Sequence, residues 1–400
     1  STNGGSNWFA IGTVADAASA LALGTSTLIR FVPVADYNGS PPALVIRGLD
    51  NTYMAGFSTT AGSETRVNVN TTSNGGSTSV AAATANLSTS ITAVNDAPVR
   101  IAGTIANLTV LEDSGFTSLG FGGVAYGPGG GADESGQTLS YAVTVIAGSV
   151  GHVYLADGTT LVTTGAYTLA QIQGMQFKTI ADASGGTGFE YKVTDSGGTA
   201  NGGLDGKSEF ITITVTPVND APTLSATALN PSFTEAAGLG TQAAAVSVFS
   251  GAAVSTVESG QTIVGLSFTV SGLVDGANEA VVVDGQTISL GADSTGNTVT
   301  NSLAYSSTIS AGTATIVLSG GSLSAAATQT LINGITYQNT NTDSPTAGAR
   351  VVTLTEIKDD GDVANGGMDT RALAIGSTVT VINVNDAPTG AVGIDNATPA

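Results

Sequence analysis

The 400-residue chain carries 10 Lys+Arg against 30 Asp+Glu, a formal net charge of −20, which is the wrong sign for nucleic acid or an anionic membrane surface. It has no cysteine and one histidine, His152, which excludes disulfide scaffolds, thiolate metal sites, cysteine nucleophiles and any histidine-paired triad not built on that residue. The length predicts roughly two to four domains. With 54 Gly and much Thr, Ser, Asn and Val, it predicts short β-branched strands joined by Gly, Asn and Asp turns rather than long helices.

In chain order, the opening STNGGSNW has no basic region followed by an apolar stretch, so no signal peptide is expected, and no apolar run is long enough to span a membrane. A first strand is expected at Trp8-Phe9-Ala10-Ile11, and turns of helix at 15–21, 169–172 and 325–332, each just before an aromatic-bearing strand. Those strands lie in TLIRFVPVADYNG, QGMQFKTIADASG and NGITYQNTNTDSP, where Phe31, Phe177 and Tyr337 should point into a core and the polar run that follows should turn the chain. Ile211, Ile213 and Val215 alternate with threonines, as do Val379 and Val381, and Leu87 to Ile91 do so less cleanly.

Each alternating segment runs into the same pentapeptide, Val-Asn-Asp-Ala-Pro, at 94–98, 218–222 and 384–388. Glu134-Ser135-Gly136-Gln137-Thr138 returns as 258–262, and that offset of 124 residues is also the spacing of the first two Val-Asn-Asp-Ala-Pro copies. Asn201-Gly202-Gly203 is echoed by Asn365-Gly366-Gly367. Repeats at a long period mean a tandem array, and a proline after the last strand stops its ladder, so the pentapeptide reads as a boundary. The expected units are 1–97 (partial), 98–221, 222–387 (longer by 42 residues, with extra strands or an insertion between Ser271 and Leu323) and 388–400, the start of another. Either the chain is an excerpt of a longer array, the favoured reading, or a neighbour supplies the strands missing from the first unit.

Phe189-Glu190-Tyr191-Lys192-Val193-Thr194-Asp195-Ser196-Gly197-Gly198 followed by ITITVTPVNDAP resembles the end of a cadherin repeat, and more closely the cadherin-like tandem repeats of very large bacterial surface proteins and adhesins. The resemblance implies an all-β fold of Greek-key sandwiches stacked end to end, exported to the cell surface, with calcium where units meet. Carried over by position, it places Asn95, Asp96 and Asp195 at the first junction and Glu112, Asn219, Asp220 and Asp359 at the second, with Glu134 and Glu258 as further ligands. Glu235 and Asp386 are the corresponding positions of the third unit and its linker.

An acidic chain short of competing bases also suits a cation that takes six to eight oxygens. The pattern departs from a cadherin linker, which has an Asp two places before the Asn where Ala93, Pro217 and Asn383 stand here, and the Asp-Arg-Glu tripeptide is missing. One ion per junction, or none, is the expectation, because Asn-Asp-Ala-Pro also serves as a plain turn. Asp359-Asp360-Gly361-Asp362 resembles the start of an EF-hand but has Thr370 at the twelfth position, so an EF-hand is rejected.

Adjacent carboxylates at Asp133/Glu134 and Asp359/Asp360 point to opposite faces or belong to the repeat, aromatics are only 5%, and His152 reads as an ordinary strand residue, so no enzyme is expected. Gly127-Pro128-Gly129-Gly130-Gly131 and 71–76 read as exposed spacer loops, and the Asn-x-Ser/Thr sequons carry little weight. The expected partners are adjacent repeats or like subunits, with a surface glycan or protein receptor as a further possibility. The expected function is an extracellular stalk or fibre module stiffened by calcium. Two alternatives stay open: a filament or S-layer subunit joined by donation of 387–394, and an adhesin domain that binds carbohydrate or a receptor.

Overall fold

A computed structural model describes residues 1–146 and 148–386. The chain is all-β, organised around three separate hydrophobic cores drawn from residues 22–80, 110–215 and 224–381. None of its helices among the described residues is long and apolar enough to cross a membrane.

The second core lies between a five-stranded and a three-stranded sheet. The larger runs in the order Gly165–Tyr167, Leu139–Val145, Gly185–Asp195, Gly206–Thr216, Leu108–Leu111, and the smaller Gly151–Tyr154, Gln176–Thr179, Thr117–Ser118. The period-two pattern decides which residues face inward. Ile211, Ile213 and Val215 are at most 1% exposed, while the intervening threonines stay on the outer face. Leu108–Leu111 adds to Gly206–Thr216 in parallel, so the opening and closing strands of the unit lie side by side. The short helix Leu169–Gln173 falls where expected, closed by a capping box between Thr168 and Gln171.

The third unit repeats this plan on a larger scale. Its seven-stranded sheet runs Ser232–Thr234, Thr370–Ile382, Gly348–Asp359, Ile263–Ser271, Thr313–Leu323, Ala304–Ser310, Ser294–Asn297. A four-stranded sheet built around Glu279–Val283 and Thr336–Asn339 packs against it through the shared core. Much of the extra length between Ser271 and Leu323 is strand, with Ser294–Asn297 and Ala304–Ser310 extending the larger sheet at its edge. Arg350, 1% exposed, donates from Nε to Glu279 (2.6 Å) and from Nη2 to Asp275 (3.2 Å), pinning the start of that extra stretch.

The first unit is sparser. Leu44–Leu49 pairs with Val80–Leu87 and Ala20–Leu21 with Asn68–Val69, over a core of only Ala22, Val69 and Val80. Trp8-Phe9-Ala10-Ile11 forms no strand, and 15–21 forms no helix. Asp16 accepts from the Arg47 guanidinium and the Thr71 hydroxyl, and Ala20–Leu21 pairs across a sheet, and these tertiary contacts override the helical preference of the alanines.

Candidate metal centre at the repeat junctions

The first two linkers are gripped in the same way. At Asn219, Nδ2 donates to Asp359 Oδ1 (3.3 Å) and to the Met368 carbonyl (2.6 Å), the Gln261 amide donates to Oδ1, and the Asn219 carbonyl accepts from Met368 N (2.8 Å). At Asn95 the partners are Asp195 Oδ1 (2.9 Å), the Leu204 carbonyl (2.6 Å), Gln137 (2.7 Å) and Leu204 N (2.8 Å). The repeated Asn-Gly-Gly and Glu-Ser-Gly-Gln-Thr motifs thus converge on one linker asparagine. Its side chain is committed to protein partners, a carboxylate among them, and forms a clasp rather than a free metal ligand.

The next residue brings in the glutamates. Asp96 N donates to Glu134 Oε1 (2.8 Å) and Asp220 N to Glu258 Oε1 (3.0 Å). From the preceding unit, Glu112 Oε1 accepts from Val218 N, and in the third unit Glu235 Oε2 accepts from Val384 N (2.9 Å) in the same relation. Asp386 Oδ1 accepts from Gly238 N, so the third linker also folds back onto its own unit. The glycine loop at 127–131 is not a free spacer. A Cβ on Gly129 would stand 2.3 Å from the Ala97 carbonyl oxygen, one on Gly130 2.4 Å from Glu134 Cδ, and one on Gly131 3.0 Å from the Asp36 carbonyl oxygen, so only bare backbone lets this loop wrap the linker.

Glu134, Asp195, Asp359, Glu235 and Asp386 each spend one oxygen on such bonds and keep the other without a partner. Glu134 Oε2, Asp195 Oδ2, Asp220 Oδ2, Asp359 Oδ2, Glu235 Oε1 and Asp386 Oδ2 are buried with no hydrogen-bond partner, and no ion pair among the described residues involves any of these six side chains. Leaving a buried charged oxygen unpaired costs several kcal/mol, so this repeated set is either penalised or waiting for a cation. At the second junction Asp220, one of these six, meets further acids. Glu112, Asp220 and Glu258 offer atoms within 4.8 Å of one another, and so do Asp113, Asp182 and Asp220. Two ligands of one Ca²⁺ lie at most twice a bond length of about 2.3–2.6 Å apart, so each triad is compact enough for one ion, and Asp220 belongs to both.

The electrostatics agree. Burial pushes the Asp220 carboxyl up to about 6, and the charges of Asp113, Asp182, Glu258 and Glu112 push it the same way. Burial likewise raises Glu134 and Asp359. Among the residues expected from sequence, the structure brings Glu112, Asp220 and Glu258 into one triad, sets Asp359 and Asp195 behind the asparagine clasps, and leaves Asp96 exposed beside Glu134. Asp113 and Asp182 were missed. A signal existed: Asp182 follows Phe177 by five residues as Asp36 follows Phe31, and both aspartates take left-handed backbone, φ 55° and 60°.

No family model matches the chain, and no curated protein matches it. Solved structures to which it is similar include mouse cadherin-23 repeats EC22–24 (13% identity, TM-score 0.29, 77% of this chain and 71% of that chain). Others are mouse protocadherin-24 EC1–3 (11%, TM-score 0.31, 90% and 99%) and the CupB6 tip adhesin from Pseudomonas aeruginosa (9%, TM-score 0.22, 74% and 99%).

Proposed function

We propose that the chain is an extracellular, non-enzymatic structural array, of adhesin or fibre type, whose units at 1–97, 98–221 and 222–387 are stiffened against one another by calcium. The observation that carries this reading is the set of buried carboxylate oxygens without partners that recurs at each linker, together with the two acidic triads that share Asp220. Glu112, Asp220 and Glu258 would hold one ion at the second junction and Asp113, Asp182 and Asp220 a second, with Asp195, Asp359, Glu134, Glu235 and Asp386 as ligands or supports at equivalent places. A hard divalent cation supplies the positive charge that the protein withholds there, and a flexible all-oxygen donor set favours Ca²⁺ over the stricter Mg²⁺.

The test is thermal unfolding and small-angle scattering of the whole chain in calcium and in EDTA. A higher Tm and a longer maximum dimension in calcium are expected. Identical curves in both would remove calcium and leave a passive spacer. Donation of 387–394 to a neighbour falls on residues outside those described, and a glycan or protein receptor remains a proposal to be tested by binding arrays.

A further inference from the structure

The smaller sheets of the second and third units pair equivalent strands in the same register but with different buried side chains. Val153 lies opposite Phe177 and Gly151 opposite Thr179, as Val281 lies opposite Tyr337 and Glu279 opposite Asn339. A flanking bond fixes the equivalence: Leu119 N donates to the Met175 carbonyl as Val248 N donates to that of Ile335, two residues before each aromatic. On the facing sheet Thr187 pairs with Ile213 as Arg350 pairs with Val379. Ile213 and Val379 lie three residues before Thr216 and Ile382, whose carbonyls accept from Glu112 N and Glu235 N. Gly151, Phe177 and Thr187 of the second unit are therefore matched by Glu279, Tyr337 and Arg350 of the third.

The third unit's set is a closed polar network beside an apolar core. Glu279 Oε1 accepts from Arg350 Nε (2.6 Å) and from the Tyr337 hydroxyl (2.8 Å), and Oε2 accepts from Val274 N and Asp275 N (2.9 Å each). Asp275 Oδ2 accepts from Asn339 Nδ2 (2.6 Å) and from Arg350 Nη2 (3.2 Å). Glu279, Tyr337 and Asn339 are all 0% exposed. The second unit's set is built differently. The Phe177 ring lies so close to bare Gly151 that a Cβ there would collide with it, and Thr187 stands where the third unit has its guanidinium.

Backbone register does not distinguish strand Gly151–Tyr154 from strand Glu279–Val283, and neither do the buried valines Val153 and Val281. The other buried side chains do. Glu279–Val283 laid against Gln176–Thr179 would drive Glu279 into the Phe177 ring, with Thr187 in place of its cation. Gly151–Tyr154 laid against Thr336–Asn339 would leave the Arg350 guanidinium and the Tyr337 hydroxyl buried without Glu279. Each exchange strands a buried charge, and exchange of equivalent strands is a characteristic failure of tandem repeats. We propose that Glu279, Tyr337 and Arg350 form a pairing key. It admits only strand Glu279–Val283 beside Thr336–Asn339 and refuses the equivalent strand of the second unit, whether from the same chain or from a second copy. The proposal is independent of whether the junctions take calcium.

The chain has no cysteine, so introduced pairs report strand pairing directly. Val282 lies opposite Thr336, and Tyr154 opposite Gln176. Val282→Cys with Gln176→Cys therefore crosslinks when the third unit's strand pairs in the second unit, and Val282→Cys with Thr336→Cys reports native pairing. The whole chain is refolded from denaturant in EDTA under oxidising conditions, and the crosslinked peptides are counted by mass spectrometry. Glu279→Gly, Tyr337→Phe and Arg350→Thr together should raise the crossed product at least tenfold over the unaltered key. The reciprocal set Gly151→Glu, Phe177→Tyr and Thr187→Arg should do the same while leaving the third unit's residues intact. Leu331→Ala, which weakens the third core without touching the key, measures what lost stability alone does. A rise no greater than that in Leu331→Ala, or no rise in either exchanged set, would overturn the proposal.

Discussion

At the scale of single residues, the carboxylate of Asp220 holds its proton up to about pH 6, against 3.8 for an ordinary aspartate, because it is buried among other acids. A group raised on folding contributes stability that is full below its unfolded pKa and lost as pH rises through the folded one. In EDTA the chain should therefore lose stability between about pH 4 and pH 6 as Asp220 ionises, the reverse of an ordinary acid-denaturation limb. Calcium should flatten that slope, and Asp220→Asn should reduce both the slope and the calcium response, as calorimetry across that window would read. Asp16 works in the opposite sense. The Arg47 guanidinium holds it down at about 2, so its contribution is lost only as pH falls through that value. Arg350 gives a second check: Arg350→Leu leaves Glu279, 0% exposed, and Asp275 without their cation, and a loss of about 3–5 kcal/mol in chemical denaturation is expected.

Among elements, the strands that close the second and third units were legible because a two-residue period on a half-buried sheet leaves few ways to fold: Ile211, Ile213, Val379 and Val381 all face the core as their alternation predicts, whereas the first unit's strand, Val80–Leu87, ends before the weaker alternation at 87–91. The helices at Leu169–Gln173 and Ala325–Asn333 fall where the sequence placed them, and in the structure Thr168 and Ser324 cap their first turns. The 15–21 stretch misled because alanines state a preference without a partner, and the partner here is Arg47, far along the chain. The clasp was half visible: its motifs repeat, but that Gln261, Asp359 and Met368 all meet on Asn219 is a property of the folded loops. Its tightest point is Gly361, where a Cβ would fall 1.8 Å from Asn219 Oδ1. Gly361→Ala should force the asparagine out and cost about 1–3 kcal/mol, visible as a lower midpoint in denaturant and increased amide exchange at Met368.

Over the whole molecule, the repeat made the linker acids easy to nominate, because they recur beside an invariant pentapeptide. Asp113 and Asp182 are 69 residues apart and join Asp220 only once the sheets have closed, so spacing alone could not unite them. The same plan is graded along the chain: the second junction has carboxylates from both sides, and Glu235 and Asp386 form the receiving half of the same arrangement at the end of the third unit.

The asparagine clasp gives the array a direction. Asn219 and Asp220 are bonded to the unit that follows them, whereas the described hydrogen bond from this linker to the unit behind is the one from Val218 to Glu112. Each linker should thus travel as a rigid collar on the downstream unit, with the pivot between Val218 and Asn219. A chain of such links pulled from its ends would yield first at the rear face of each collar, and the ions would act as bolts across that one seam.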